Sequence, residues 1–294
     1  MDDAERLAAM EVGWKAGLGY ALSRPAQTPA GMLGEQLGSG VGNSIEFMDY
    51  REYTPGDDLR RIDWSAYARS DRLVIKLNRE EVTPHLDLLL DVSASMALSG
   101  SAKPEALLGL ASAIAAASDN ARMTRRVYTA MQRLDPIPGG EGDPQAWHWP
   151  GFAQSESQVS LAGAMHEVAV PMRRRGVRVL ISDLLCPEDP WPIVSRLAEG
   201  ASSAHVVQLL ARQDADPLWN GDIRLVDSES GELQELRLDA TAMTRYHEQL
   251  DRLRDQWRSA CARAGIQMTE LIAEEVVGQW DLAGLVRAGV LRLA

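Results

Sequence analysis

From residue 86 onward, the pattern of apolar and polar positions predicts strands and helices in alternation. Three short apolar runs have the length and composition of buried parallel strands, and they cover residues 86–90, 177–182 and 205–210. Apolar residues at helical spacing lie between and after these runs, most clearly over residues 104–121, 161–174 and 240–264. This order predicts an α/β fold with a doubly wound, mainly parallel sheet.

The chain on either side of this alternation carries further elements. Apolar residues of the N-terminal segment recur at helical spacing and predict an amphipathic helix from Asp3 to Ser23. A loop rich in Gly, Pro and Ser follows over residues 24–44. Residues 45–53 and 72–80 have the composition of strands, and a final helix is expected over residues 280–293.

These elements divide the chain into two parts. Residues 1–80 hold the N-terminal helix, the loop and a charged segment, which we expect to pack on the core. Residues 81–294 form the α/β domain, in which turn residues at 228–231 predict a β-hairpin near residues 222–238. The length of the chain is sufficient for one large domain or two ordinary ones.

Oxygen-bearing side chains follow the first apolar run at every second position, as Asp91, Ser93 and Ser95. Open α/β sheets bind ligands at the carboxyl ends of their strands, and residues two apart in an extended chain point the same way. Asp183 ends the second apolar run, so we expect it to reach the same crevice. Carboxylates and hydroxyls are hard ligands of the kind that Mg²⁺ accepts, with Mn²⁺ as a second candidate. The pattern therefore predicts a divalent-metal site.

Two other interpretations of the same residues stay open. Asp91 and Asp183 could serve acid–base chemistry in a metal-dependent hydrolase or phosphatase. Alternatively, the serines only cap the following helix, in a metal-free structural scaffold. The sequence shows no histidine, lysine or activated nucleophile in a comparable motif, and Ser93 stands where a phosphatase would carry a second acid. These features favour a non-catalytic protein.

The composition argues against some classes of partner. The formal net charge is −12, whereas non-specific binding to nucleic acid or anionic membranes requires a basic face. No apolar stretch approaches the roughly 18 residues of a membrane span, and the N-terminus lacks a signal-peptide pattern. The two cysteines, Cys186 and Cys261, have no metal-binding spacing and are typical of a reducing compartment. We therefore expect a cytoplasmic protein without membrane insertion.

A dense set of charged and aromatic residues follows the turn at Pro55-Gly56. Such a set serves either as an ion-pair network that fixes the N-terminal segment or as a docking surface for a partner. Its candidate residues are Arg51, Asp57, Asp58, Arg60, Arg61, Asp63, Trp64 and Arg69.

Two of these patterns resemble known families. Asp91-x-Ser93-x-Ser95 with the later Asp183 is similar to the metal-ion-dependent adhesion site of von Willebrand factor A-like domains. Residues 51–64 read R-x-Y-x-P-G-D-D-x-R-x-I-D-W and are followed by Ala68-Arg69, which resembles the signature of the bacterial domain-of-unknown-function-58 family. The stretch LVDSESGE at residues 225–232 looks like the late hairpin of that family.

The resemblance implies a von Willebrand A-like, Rossmann-like core and a partner among MoxR-type AAA+ ATPases, with the pair acting in assembly or remodelling of another complex. It also implies a ligating threonine two residues before Leu161, where this chain has Val159, and the neighbouring Ser160 is the candidate substitute. We therefore expect a protein-interaction module that engages an acidic side chain of its partner through Mg²⁺.

Overall fold

The computed structural model describes residues 1–23, 47–78, 84–98, 100–153, 160–219, 221–228 and 231–294. The chain forms two compact units, of which the larger comprises Met1–Pro25 with Pro84–Ala294 and the smaller comprises Ala26–Thr83. The N-terminal helix belongs to the larger unit, although the sequence-based division grouped it with the charged segment.

The strands and helices of the described residues are as follows. The strands are β1 (Tyr20–Leu22), β2 (Phe47–Glu52), β3 (Val74–Asn78), β4 (His85–Asp91), β5 (Thr124–Ala130), β6 (Leu134–Pro136), β7 (Val177–Ser182), β8 (Ser203–Leu210), β9 (Gly221–Val226), β10 (Leu233–Leu238), β11 (Gln267–Ile272) and β12 (Leu291–Leu293). The helices are α1 (Asp3–Gly17), α2 (Trp64–Ser70), α3 (Lys103–Asn120), α4 (Leu161–His166), α5 (Pro190–Ala198), α6 (Arg212–Ala215), α7 (Ala240–Ala264), α8 (Ala273–Gln279) and α9 (Ala283–Arg287).

The larger unit is built on a six-stranded sheet in the order β11-β8-β7-β4-β5-β6. The first five strands of this order are parallel, and β6 runs antiparallel to β5 at one edge. The predicted mixed α/β fold with a mostly parallel central sheet is therefore confirmed. The carboxyl ends of β4, β7 and β8 lie next to one another, because these strands are neighbours in the sheet.

Helices cover both faces of the sheet. Successive residues of a strand point to opposite faces, so each strand contributes apolar side chains to both. Leu88 and Leu90 of β4 pack in a cluster with residues of α3, whereas Leu89 packs in a second cluster with residues of α5 and α7. All seven residues of β4 are buried. A strand with apolar contacts on both faces is expected to be hydrophobic throughout, which explains the apolar run that identifies it in the sequence.

Helix α1 packs against α3 with its backbone almost in contact. A Cβ atom added at Gly13 would lie 2.0 Å from the carbonyl oxygen of Gly109, and one at Gly17 would lie 2.3 Å from that of Ala113. The glycines of α1 and the small residues of α3 are each four positions apart, so they lie on one face of each helix. The contact face of α1 is therefore formed by its small residues and Met10, while Leu7 and Leu18 of the predicted apolar stripe are partly exposed.

Two predicted helices are wrong at their ends. The N-terminal helix ends at Gly17, and the next residues form β1, which pairs antiparallel with β12. The segment predicted as a final helix over residues 280–293 contains only the short α9, since Gly289 has a φ of +68° and the residues after it pair with β1. This pairing joins the two ends of the chain, so no local pattern reveals it.

The helix predicted over residues 161–174 ends at His166. Pro171 lies inside the predicted range, and proline disrupts a helix interior because it lacks an N–H and clashes with the preceding turn. Elsewhere the agreement is close: β7 and α7 have the bounds predicted from the sequence. The predicted hairpin is formed by β9 and β10.

We expect Gly13→Ala to lower the free energy of unfolding by roughly 1–3 kcal/mol, because the new methyl group would overlap the backbone of α3. Urea denaturation measures the change. Gly278→Ala is the matched control, since Gly278 lies in α8 with open space around its Cβ position. That variant should be up to about 1 kcal/mol more stable, because alanine favours helix over glycine. Equal behaviour of the two variants would contradict the close approach of α1 and α3.

Candidate functional site

A cavity of about 580 Å³ opens at the carboxyl ends of β4, β7 and β8. It is the place where the fold brings the predicted metal-site residues together. All five of them line its wall, namely Asp91, Ser93, Ser95, Ser160 and Asp183. Residues at the end of β9, Asp227 and Ser228, line the same cavity, so the hairpin borders its mouth.

Asp91 is the last residue of β4, and its carboxylate is held by two neutral donors. Its Oδ1 accepts a hydrogen bond from the backbone N–H of Ser93 at 2.9 Å, and its Oδ2 accepts one from the hydroxyl of Ser182 at 2.5 Å. Ser182 Oγ in turn accepts from the N–H of Leu184. Burial, together with the negative charge of Asp183, raises the pKa of Asp91 to about 6. The fold thus holds a carboxylate in a position that disfavours its charge.

The hydroxyls of Ser93 and Ser95 converge, with their oxygen atoms 3.1 Å apart. The segment does not stay extended as predicted, because Ala94–Ala97 form a 3-10 turn that contains Ser95, so the turn and not a strand-like alternation brings the two hydroxyls together. Ser93 occupies the position before a short 3-10 turn, yet its side chain makes no capping hydrogen bond there. At the start of α3, it is Ser101 whose hydroxyl accepts from the backbone N–H of Lys103. The structure therefore does not assign Ser93 the capping role that the scaffold interpretation requires.

Lys103 is the residue that the sequence analysis missed. Its side chain is fully buried, and its Nζ lies 3.0 Å from Asp183 Oδ2 and 2.9 Å from Asp214 Oδ2. Burial opposes the charged ammonium, but the two carboxylates outweigh that effect and raise the pKa of Lys103. The cavity therefore contains its own cation.

The partners of Lys103 are themselves fixed by the ends of β7 and β8. Asp183 Oδ1 accepts from the N–H of Leu185 at 3.2 Å, and its backbone carbonyl accepts from the side chain of Gln208 at 3.0 Å. Asp214, in the first turn of α6, accepts from the N–H of Ala211 at 3.0 Å. An aspartate that lines the cavity thus ends β4 and follows closely after each of β7 and β8, and this recurrence in the sequence is a signal that points to Asp214.

Ser160 has a different environment from Ser93 and Ser95. Its hydroxyl accepts from the N–H of Gly163 at 2.9 Å and so caps α4, and it donates to the carboxylate of Glu188. The other oxygen of Glu188 accepts from the N–H of Ala162 at 3.1 Å. Ser160 is therefore a helix cap at the cavity wall with its hydrogen bonds already in use. Val159, at the position of the expected threonine, lies outside the described residues.

The donor atoms of the cavity fit a hard, hydrated cation. Two hydroxyls and two carboxylates, from Ser93, Ser95, Asp91 and Asp183, are the oxygen types that Mg²⁺ and Mn²⁺ accept. Within the part of the chain that the structure describes, no three His, Cys, Asp or Glu side chains form a metal-binding group. A cation in this cavity would therefore depend on the serine hydroxyls and on water for much of its coordination.

Part of the charged segment of the smaller unit forms a local network. Arg51 donates to Asp57 at 2.7 Å, and Asp57 also accepts from the backbone N–H and hydroxyl of Thr54. These bonds, that of Arg51 first, lower the pKa of Asp57 to about 2. Asp63 caps α2 and accepts from the hydroxyl of Tyr50 at 2.9 Å. These contacts stabilise the turn at Pro55-Gly56 and the segment that connects the antiparallel strands β2 and β3.

Other residues of the predicted docking set are exposed in the smaller unit. Asp58 caps a 3-10 turn, while Arg60 is 93% and Trp64 is 62% exposed. Arg69 lies on the surface at the end of α2. The side chain of Arg61 lies outside the described part of the chain. The segment thus combines a local ion-pair network, which fits the predicted structural role, with exposed side chains, which fit the predicted docking role.

The fold and the cavity define an α/β protein with a polar, partly charge-compensated site at the carboxyl edge of a mainly parallel sheet. The chain belongs to the family described as protein of unknown function DUF58, whose model matches residues 49–256. This match includes the 51–64 motif, β4, the serines and Asp183.

Relatives of the chain from mycobacteria are described as uncharacterized proteins. The uncharacterized proteins Mb1516 of Mycobacterium bovis and Rv1480 of Mycobacterium tuberculosis are each 28% identical over 216 residues, which cover 70% of this chain and 68% of the relative. Among solved structures, the conserved hypothetical protein BatB of Bacteroides thetaiotaomicron is 10% identical, with a TM-score of 0.33 over 70% of this chain and 98% of its own.

An aerotolerance-related membrane protein of Bacteroides fragilis is 11% identical, with a TM-score of 0.34 over 69% of this chain and 99% of its own. A TM-score below 0.5 does not establish a shared fold, so neither of these two likenesses bears on function. Across the described residues, no helix has the length and apolar character needed to cross a membrane.

We expect Asp91→Asn to stabilise the metal-free protein above pH 6. The pKa of Asp91 is raised from 3.8 to about 6, so the folded chain holds an additional proton between these values and loses stability as pH rises through them. At pH 7.5 the variant should be about 1–3 kcal/mol more stable, since one pKa unit corresponds to about 1.4 kcal/mol. The difference should shrink at pH 4.5.

Urea denaturation in chelated buffer at both pH values tests this expectation. Asp143→Asn is the control, because Asp143 is an exposed aspartate that caps a 3-10 turn of the same unit. A loss of stability for Asp91→Asn at pH 7.5 would show that the charged form of Asp91 is favoured by its surroundings.

Proposed function

We propose that this chain is a non-catalytic protein-interaction module whose cavity mouth binds an acidic side chain of a partner through a divalent cation. The observation that carries the proposal is the convergence of the Ser93 and Ser95 hydroxyls, 3.1 Å apart, in the cavity that Asp91 and Asp183 line. We also propose that the core is von Willebrand A-like, since the Asp-x-Ser-x-Ser segment follows a central strand of a mainly parallel sheet.

The cation would be held by the hydroxyls of Ser93 and Ser95, with Asp91 and Asp183 supplying negative charge directly or through water. Its role would be to offer a coordination position to a carboxylate from outside. Mg²⁺ retains several waters when a site provides few charged ligands, and such a water can be exchanged for a partner's oxygen. The partial exposure of Ser95, compared with the buried Asp91, is consistent with access from the mouth.

The contacts in the cavity favour binding over hydrolysis. Both carboxylate oxygens of Asp183 are already engaged, Oδ2 by the ammonium of Lys103 at 3.0 Å and Oδ1 by the N–H of Leu185 at 3.2 Å. Cys186 also lines the cavity, but burial, with the charge of Glu188, raises the pKa of its thiol to about 12. A thiol with this pKa is not a nucleophile at neutral pH, because the thiolate is the reactive form.

The partner that we propose is a MoxR-type AAA+ ATPase, with the pair acting on the assembly or remodelling of another complex in the cytoplasm. This assignment rests on the resemblance of residues 51–64 to the family signature. The exposed Arg60 and Trp64 support it, because arginine and tryptophan are enriched among residues that dominate protein interfaces.

A metal-free scaffold is a second candidate, and one observation favours it. Lys103 already provides a positive charge to Asp183 and Asp214, which is part of what a metal would supply. In this alternative the cavity is a structural ion-pair site, and the partner binds elsewhere. The two candidates differ in whether a divalent cation changes partner binding.

Calorimetric titration with Mg²⁺ and Mn²⁺ tests the metal site. We expect the native protein to bind either cation at up to millimolar concentrations and Asp91→Ala to lose at least about tenfold in affinity, since removal of a carboxylate near a divalent ion weakens binding by more than 1.4 kcal/mol. Asp143→Ala, which removes an exposed carboxylate from the same unit, should bind like the native protein. Absence of heat from the folded native protein across millimolar metal would exclude this site.

A binding assay with a purified MoxR-type ATPase tests the partner. We expect nucleotide-free ATPase to be retained by the immobilised native protein in Mg²⁺, and retention to fall at least about tenfold with chelator or with Ser93→Ala/Ser95→Ala, because the cation would lose its hydroxyl ligands. Trp64→Ala reports separately on the smaller unit. Retention that is unaffected by chelator and by the serine changes would favour the metal-free scaffold.

A further inference from the structure

The Lys103 ammonium lies inside the cavity, where it contacts Asp183 and Asp214. We infer that Lys103 is a tethered cation that shares Asp183 with the divalent metal and thereby keeps the metal affinity of this cavity low. The inference rests on the proposed function, since it concerns the same cation site. Lys103 is in this view a positioning residue for Asp183 and a determinant of affinity, and it does not touch the partner.

Burial and the helix N-terminus both disfavour a charged lysine at position 103, and its two carboxylate partners favour it. Its side chain is fully buried, although lysine is rarely buried without a partner. It is also the first residue of α3, where the positive end of the helix dipole disfavours a cation. The two short contacts of 3.0 and 2.9 Å are therefore what holds the ammonium in the cavity. A role limited to helix formation would be better served by an acidic or neutral residue.

The ion pair changes what a metal would meet in the cavity. Asp183 already interacts with Lys103 through Oδ2 and with the N–H of Leu185 through Oδ1. Asp91 receives its hydrogen bonds from two neutral groups, Ser93 N–H and Ser182 Oγ–H. An arriving cation thus gains the charge of Asp91 but meets an Asp183 whose charge is partly offset by the ammonium that it shares with Asp214. Fewer uncompensated carboxylates give a calcium- or magnesium-type site a lower affinity.

A weak metal site of this kind has a functional consequence. A partner's carboxylate would supply the negative charge that Lys103 removes, so metal and partner would each increase the affinity of the other. Thermodynamic linkage requires that such coupling be reciprocal. The cavity would then be loaded with metal mainly when the acidic partner is present.

Removal of Lys103 tests the inference through metal affinity. We expect Lys103→Met to bind Mg²⁺ on the order of tenfold or more tightly than the native protein, because the positive charge beside Asp183 is lost and the Asp183 carboxylate is released. Since Lys103→Met leaves two buried carboxylates without their cation, we include Asp214→Asn and the double variant Lys103→Met/Asp214→Asn. The double variant should also bind Mg²⁺ at least about tenfold more tightly than Asp214→Asn, from which it differs only at Lys103.

The control is Lys15→Met, which makes the same substitution at an exposed lysine of α1 that pairs with Glu11, and its metal affinity should equal that of the native protein. Circular dichroism with and without Mg²⁺ reports folding. A variant without Lys103 that folds only in the presence of Mg²⁺ supports the inference. If the folded variants without Lys103 bind Mg²⁺ with equal or weaker affinity, the inference is overturned. It is also overturned if Lys103→Met and the double variant both fail to fold at any Mg²⁺ concentration, because Lys103 would then serve the fold alone.

The outcome for the native protein is separate. If the native protein binds Mg²⁺ and removal of Lys103 changes nothing, the inference fails and the proposed metal site stands. If the native protein does not bind Mg²⁺ but the variants without Lys103 do, the inference stands, and the native chain uses Lys103 in place of a metal. No binding by any variant rejects both.

Discussion

Charge burial at the carboxyl edge of the sheet is the constraint on which this structure depends. Parallel strands end at one edge, and three neighbouring strands bring Asp91, Asp183 and Asp214 into one cavity. Carboxylates in a buried site require compensation, because their mutual repulsion and loss of hydration both disfavour the folded state. Lys103 compensates two of them directly, and Asp91 is held by neutral donors at the cost of a raised pKa.

The packing of α3 restricts the position of Lys103, which is the first residue of that helix. Helix α3 is buried along most of its length and is approached closely by α1 at Gly109 and Ala113. The ring of Trp280 occupies the space that a side chain at position 109 would take. A helix held in this way has little freedom to shift, so the ammonium at its first residue stays between its two carboxylates.

The same arrangement supports the proposal that the cavity binds a partner and does not catalyse a reaction. A catalytic base or nucleophile must be available to the substrate, whereas here both carboxylate oxygens of Asp183 are engaged by neighbouring groups and burial raises the pKa of the Cys186 thiol to about 12. Burial and the charge of Asp183 disfavour the ionised form of Asp91, and a bound cation would stabilise that form. A protein that accepts such a cost in its unliganded form commonly does so at a functional site.

The sequence alone determined the order of the central strands along the chain, the bounds of β7 and α7, and the presence of Asp91, Ser93, Ser95 and Asp183 at one edge. Those features follow from local periodicity and from the rule that parallel strands end together. Only the tertiary structure decided that Lys103 lies between Asp183 and Asp214, that Ser160 is used as a cap, and that β1 pairs with β12. These contacts join residues distant in the chain, and their partners depend on how helices and strands pack, which no local pattern encodes.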